Sequence, residues 1–436
     1  MKRYGDCLAM AGRSLDCSAN FRYGHVNPHR RGLDGAGKRR VLVLAPQPFY
    51  EDRGTPMAIR ELVGALTRLG YAVDLATFPV GRDVEIPGVR LIRTANPYRF
   101  RHVRIGLTWR KLLLDVMLFV TAFRLLRQNE YFSIHGVEEG GFLAALLGRV
   151  FRVPVVYEMQ SSLPQQLAFR AVFRAKPMQA VLSACERWLL RHVDLVACSA
   201  GLADHVRGIV PGVPVQEWRY PIRQENVSPG DAGELRASLG IAAESWVVMY
   251  SGTFELYQGL ADVIAAVPLA QPYIPRLILV MVGASADSAA EMHRQAERVG
   301  VADRIRILPR CPVEEIARYH AMADVLLAPR AAGSNLPLKV YHYMGANRPI
   351  LATGASSEHA VLGCGRALLV EHGPAAIACG LVQMNDDPDL AAGLAREARG
   401  YADRMLGSMQ FEEAVRSVCD RFQPAAGPAT VTVVPA

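Results

Sequence analysis

From residue 41 onward, short apolar runs alternate with longer stretches whose apolar positions recur at helical spacing. The runs 41–45, 72–78, 89–94, 131–137, 153–159 and 194–199 are rich in β-branched residues and continuous rather than alternating. That pattern predicts strands buried on both faces of a parallel sheet. Between them, 57–69, 109–128, 140–151 and 178–192 read as helices, and the alternation predicts an open, doubly wound sheet. Pro and Gly are dense over 208–245, after which the rhythm resumes with runs 246–252, 276–283, 305–309, 324–329, 349–353 and 367–371. Helices are predicted for 388–400 and 401–422. The expected fold class is α/β, with two Rossmann-like doubly wound parallel-sheet domains facing a central cleft. The first domain is expected at 40–217, a linker at 218–245, the second domain at 246–400 and a closing helix at 401–422. A basic, flexible extension (1–39) precedes them, and a Pro/Ala/Thr/Val tail (423–436) follows.

Composition refines this picture in three places. Hydrophobic residues make up 51% and charged residues 21% of the 436, enough apolar material for two large cores. The formal charge of +8 is concentrated at one end, since residues 1–40 carry nine Lys/Arg against three Asp. The folded body is close to neutral, which argues against nucleic acid as a partner. The eight cysteines are scattered without CxxC spacing, as in a reduced, cytoplasmic protein. No apolar run reaches the roughly 18–20 residues of a membrane span, and the longest candidate, 112–123, is broken by Asp115.

Two nucleotide-binding motifs are absent. Gly32 to Arg39 imitates a P-loop, but Arg39 stands where a hydroxyl should bind magnesium, and the loop precedes a strand instead of following one. The first strand is not followed by GxGxxG. Instead a long loop ends at Gly54, Thr55 and Pro56, with Thr55 read as N-cap and Pro56 in the first turn. Such a helix start can accept a phosphate, or can simply be well capped. Ser251, Gly252, Thr253 and Phe254, followed by Gln258 and Gly259, have the same shape. A third loop runs from Arg330 through Ser334 and Asn335 to Pro337, which is read into the first turn of the next helix. Leu338 and Lys339 would then present N–H groups, with the Lys339 cation suited to a diphosphate. His342 follows about one and a half turns on. A solvated lysine and a packed histidine are the plain alternatives.

These three segments resemble glycosyltransferase family 4. The most specific is Pro337-Leu-Lys-Val-Tyr-His-Tyr-Met-Gly-Ala-Asn-Arg-Pro349-Ile350, and the likeness covers about residues 40–420. The resemblance implies the GT-B architecture and a glycosyltransferase that moves a sugar from a nucleoside diphosphate to an acceptor glycan or lipid-linked sugar. It also implies retention, no metal, and no cofactor beyond the nucleotide sugar as co-substrate. The family's acceptor-side histidine falls at His135, with Glu158 a second catalytic candidate at the next strand end. Gly54, Thr55, Gly252, Thr253, Gln258, Arg330, Ser334, Asn335, Leu338, Lys339 and His342 are the expected donor-binding residues. The chain departs from the family pattern where Ser334 and His342 replace its two glutamates. Thr253 and Gln258 likewise replace its diphosphate-flanking Arg and Lys. That departure keeps alive a nucleotide-sugar-binding or scaffold protein without activity, and the fold also admits a sugar-nucleotide epimerase or hydrolase. Residues 93–111 hold six Lys/Arg and no acid among aromatics, a candidate for peripheral contact with an anionic membrane at its inner face. A solvated basic loop is the alternative.

Overall fold

The computed structural model describes residues 37–51, 54–100, 108–168, 171–222, 227–330, 337–354, 361–363 and 365–423. Most of the basic extension and of the C-terminal tail, the stretch 101–107 of the basic segment, and Ser334 and Asn335 lie outside them.

Thirteen parallel strands form two sheets among these residues. The first contains β1 (Arg40–Ala45), β2 (Ala72–Thr77), β3 (Val89–Arg93), β4 (Ser133–Val137), β5 (Val155–Met159), β6 (Leu195–Cys198) and β7 (Val215–Glu217), in the order 3-2-1-4-5-6-7. The second contains β8 (Trp246–Ser251), β9 (Leu277–Ala284), β10 (Ile305–Pro309), β11 (Val325–Ala328), β12 (Ile350–Thr353) and β13 (Leu368–Val370), in the order 10-9-8-11-12-13. This is the doubly wound architecture that the apolar pattern predicts. Continuous runs were needed because both faces are covered. In β1, Leu42 and Leu44 face a core under helices Trp109–Gln128 and Gly140–Phe151. Val41 and Val43 face another under helices Gly54–Arg68 and Ser408–Asp420.

Strand order reverses between β1 and β4 in one sheet and between β8 and β11 in the other. Open α/β sheets bind ligands at the carboxyl ends of the strands flanking such a switch. The loops after Ala45, Val137, Ser251 and Ala328 therefore lie at the two switch points.

Several boundaries differ from the sequence reading. Within the expected linker 218–245, helix Pro229–Ser238 docks on the second domain through Leu235, with Leu239 just beyond it, and β7 ends the first sheet at the expected boundary. The crossing itself is short, at Trp218 to Ile222. The final helices are Pro388–Met405 and Ser408–Asp420, so the break falls at Leu406 and Gly407 and not at Gly400. The chain crosses back there, beside its outward crossing, and Ile222 N donates to Leu406 O at 3.0 Å. The last helix then packs on the first domain, where Phe411, Val415 and Val418 join its core. Two turn assignments also shift by one residue. Helix Gly54–Arg68 begins before Thr55, which therefore lies in its first turn, and Pro337 caps helix Leu338–Gly345 instead of opening it.

Candidate functional site

The loops beside both switch points line one cleft of about 1380 Å³. On the second-domain wall, β8 delivers Ser251 and then Gly252, whose φ of +141° only glycine adopts freely. The neighbouring loop comes equally close: a Cβ on Gly283 would lie 2.1 Å from Gly252 O. Tyr250, buried beneath, donates from its hydroxyl to Thr253 O at 2.6 Å and fixes the loop's path. Lys339 Nζ donates to Gln258 Oε1 at 2.8 Å and sits 4.0 Å from the centre of the Tyr250 ring. The Arg330 guanidinium lies over the Tyr257 ring at 5.4 Å. Gly252, Thr253, Gln258, Arg330, Leu338, Lys339 and His342 all line the cleft.

A buried polar cluster supports this wall. Tyr343 OH accepts from Ser251 N at 2.8 Å, and His320 Nε2 lies 3.0 Å from Ser251 Oγ. Burial, with the neighbouring His342 adding to it, pushes the His320 imidazole down to about 3, so the ring is neutral at physiological pH.

Gly54 and Thr55 line the opposing wall. A Cβ on Gly54 would stand 4.0 Å from Leu338 Cδ1, so the two walls approach each other here. Lys111 Nζ pairs with Glu139 Oε1 at 2.5 Å. Glu138, at the end of β4, has φ of +51°, a conformation that non-glycine residues rarely adopt. Its carboxylate accepts from Ser161 Oγ at 3.2 Å. Burial, followed by the nearby Glu139, pushes it up to about 8.

His135 and Glu158 are brought together, but not to the cleft. Both are fully buried, with His135 Nδ1 donating to Glu158 Oε1 at 2.8 Å and Trp218 Nε1 donating to Oε2. Their positions in the middle of β4 and late in β5 turn both side chains toward the face covered by the last helix, where Phe411 packs at a tilt against Trp218 with ring centres 5.3 Å apart. The expectation that they reach a sugar is corrected on this ground, for Trp218 lines the cleft and they do not. Sequence reasoning passed over Glu138, Tyr250, His320 and Tyr343. For Glu138 the available signal was its place at a strand end beside the switch point, just before Gly140 and Gly141.

Residues 53–219 match the family model described as glycosyl transferase 4-like domain, and residues 231–401 match that of glycosyl transferases group 1. The D-inositol 3-phosphate glycosyltransferase of Geodermatophilus obscurus is 26% identical over 438 aligned positions, covering 91% of this chain and 92% of its own. Sucrose-phosphate synthase from Thermosynechococcus elongatus superposes with a TM-score of 0.72 at 20% identity, covering 88% and 98% of the two chains. HepE from Anabaena, solved in complex with UDP-glucose, superposes with a TM-score of 0.69 at 15% identity, covering 88% and 99%.

Proposed function

Because this chain is a family 4 glycosyltransferase of GT-B architecture, we propose that it holds a nucleoside diphosphate sugar against its second domain and transfers the sugar to a polyhydroxylated or lipid-linked acceptor. The observation that carries this reading is the convergence of the Gly252 loop, the first turn of helix Leu338–Gly345 and the Lys339 ammonium on one wall of the cleft. Backbone N–H groups and a cation pre-set at one place stabilise the negative charge that develops on a departing diphosphate. Arg330 supplies a second positive group, and His342 takes the ribose hydroxyls in place of the family's glutamate. Gly54 and Thr55 close over the diphosphate from the first domain. Uridine is the first base to test, since HepE was solved with UDP-glucose.

The transfer proceeds with retention at the anomeric carbon and without a metal, Lys339 taking the charge-stabilising part. Incubation with UDP-, GDP- and ADP-sugars in EDTA, with D-inositol 3-phosphate as probe acceptor, tests both features. Transfer with unchanged anomeric configuration supports them, while inversion or a requirement for added Mg²⁺ contradicts them.

We further propose that the protein works at the cytoplasmic face of a membrane. Trp109, Leu112, Val116 and Val120 follow one face of helix Trp109–Gln128 and are all exposed, with Tyr98 beside them. Arg110 lies over the rings of Phe100 and Trp109. No described helix is long and apolar enough to cross a membrane. An apolar stripe edged by arginine suits an anionic lipid surface.

A further inference from the structure

We infer that Glu138 is the acceptor-contacting group of the first-domain wall: its carboxylate receives a hydrogen bond from the hydroxyl to be glycosylated, the place that the sequence pattern gives to His135. This rests on the donor reading above.

Four observations converge. Glu138 lines the cleft, whereas His135 and Glu158 are sealed in the core, where the Glu158 carboxylate accepts from both His135 Nδ1 and Trp218 Nε1. Its left-handed backbone is strained for a residue with a Cβ. The strain is held by Glu138 N donating to Glu158 O at 3.2 Å and by Gly141 N donating to Glu138 O at 3.0 Å. That turn aims the side chain off the end of β4 at the strand-order switch. Third, Ser161 Oγ, a neutral donor, approaches both carboxylate oxygens at 3.2 and 3.3 Å. Of the cations lining this wall, Lys111 is paired with Glu139 and Arg174 donates to Ala168 O. Fourth, Glu138 and Glu139 lie on the first-domain wall, with Lys111 and Arg174, while Lys339, Arg330 and Arg310 lie on the other, with Glu255. Lys339 and Arg330 mark the wall suited to a diphosphate. A carboxylate would repel that anion and is suited to the neutral hydroxyl opposite. Amides and hydroxyls continue the Glu138 wall through Gln160, Ser162 and Gln166, so the acceptor class is a polyol.

The groups facing Glu138 are Glu139 on its own turn, Lys111 from helix Trp109–Gln128, Tyr157 from β5 and Ser161 from the following loop. Together with burial they place its titration near pH 8. The ionised form is the hydrogen-bond acceptor, so acceptor use rises with pH through that region, by roughly tenfold between pH 7 and 9.

The test compares wild type, Glu138→Gln and Ser161→Ala as full chains. Calorimetry with UDP reports the donor site, and nucleotide release from the best-binding nucleotide sugar, with D-inositol 3-phosphate, myo-inositol or water as acceptor, reports the other wall. The expected result is UDP affinity unchanged within about twofold, release in Glu138→Gln down by roughly tenfold or more and flat with pH, and the Ser161→Ala profile displaced to higher pH. The upward displacement follows because Ser161 holds the Glu138 carboxyl down. The assignment is overturned if Glu138→Gln releases nucleotide with the rate and pH profile of wild type, or if its loss of rate is matched by an equal loss of UDP binding. If wild type binds no nucleotide, the donor reading fails first and this assignment falls with it.

Discussion

The Lys339 ammonium lies 4.0 Å from the centre of the Tyr250 ring, with its hydrogen bond to Gln258 at 2.8 Å. Both of these contacts are with uncharged groups and orient the cation. A ring face and an amide can be given up partly to an incoming diphosphate. Lys339→Ala should therefore weaken UDP and UDP-sugar binding by roughly tenfold or more, the equivalent of about 1.4 kcal/mol or above. The melting temperature should barely move, and differential scanning calorimetry on the same samples checks this. Lys339→Arg should recover only part of the affinity, since the broader guanidinium does not fit the Tyr250 face and Gln258 together.

The approach of Gly283 to Gly252 makes a separate prediction. Gly283 has φ of +118°, and a Cβ there would meet Gly252 O at 2.1 Å. Gly283→Ala must push the Gly252 loop aside, and should cost on the order of 2–3 kcal/mol. That corresponds to a fall of roughly 4–12 °C in melting temperature for a domain of this size. Nucleotide affinity, measured on the folded protein at low temperature, should fall with it.

Burial of His320 gives the second domain an acid-sensitive element. In the unfolded chain the imidazole takes up a proton below about 6.5, whereas in the folded protein it does so only near 3. Between those values the unfolded state binds the extra proton. Stability is therefore full above pH 6.5 and lost as pH falls, by at most about 1.4 kcal/mol per unit from this one group. Urea midpoints at pH 7.5 and 5 should show the loss in wild type and a shallower one in His320→Asn.

Glu158 separates a structural role from a catalytic one. Its carboxylate accepts from both His135 and Trp218 inside the core. Glu158→Ala leaves two buried polar groups without a partner and should destabilise the first domain by roughly 3–5 kcal/mol. Thermal unfolding should report that loss, while the protein that remains folded should bind UDP as wild type does, because Glu158 does not line the cleft.

The exposed face of helix Trp109–Gln128 is tested with vesicles. Co-sedimentation should be stronger with phosphatidylglycerol than with phosphatidylcholine, and should fall with added salt. The pair Trp109→Ala and Arg110→Ala should lower it, with each basic residue contributing about 1 kcal/mol near the surface. Equal sedimentation with both lipids would contradict an electrostatic contact.

How far the sequence reaches depends on what each residue answers to. Runs such as 41–45 and 277–282 are continuous because helices cover both faces of their strands, and that requirement is local enough to read directly. Short β7, with three half-buried residues at a sheet edge, carries too little apolar pattern to separate it from the Pro-rich stretch around it. The break at Leu406 and Gly407 is imposed by the return crossing, a tertiary demand invisible to helical periodicity. That Gly252 and Lys339 line the cleft was legible because a glycine just after a strand and a lysine in the first turn of a helix are local signals. His135 misled because a strand-end histidine fits a cleft or a core equally well. The core on its side of the sheet includes Trp218 and Phe411, which are 83 and 276 positions away in the chain. Glu138 escaped notice because its backbone turn, not its neighbours in sequence, directs it.

The central claim is that the wall formed by the Gly252 loop and Lys339 holds a nucleoside diphosphate sugar. Calorimetric titration of UDP, GDP, ADP and their common sugar conjugates into wild type and Lys339→Ala tests it most directly. The expected result is saturable binding of one nucleotide series by wild type, weakened by roughly tenfold or more in a variant that melts like wild type. Absence of binding at millimolar ligand, or equal affinity in both proteins, would contradict it.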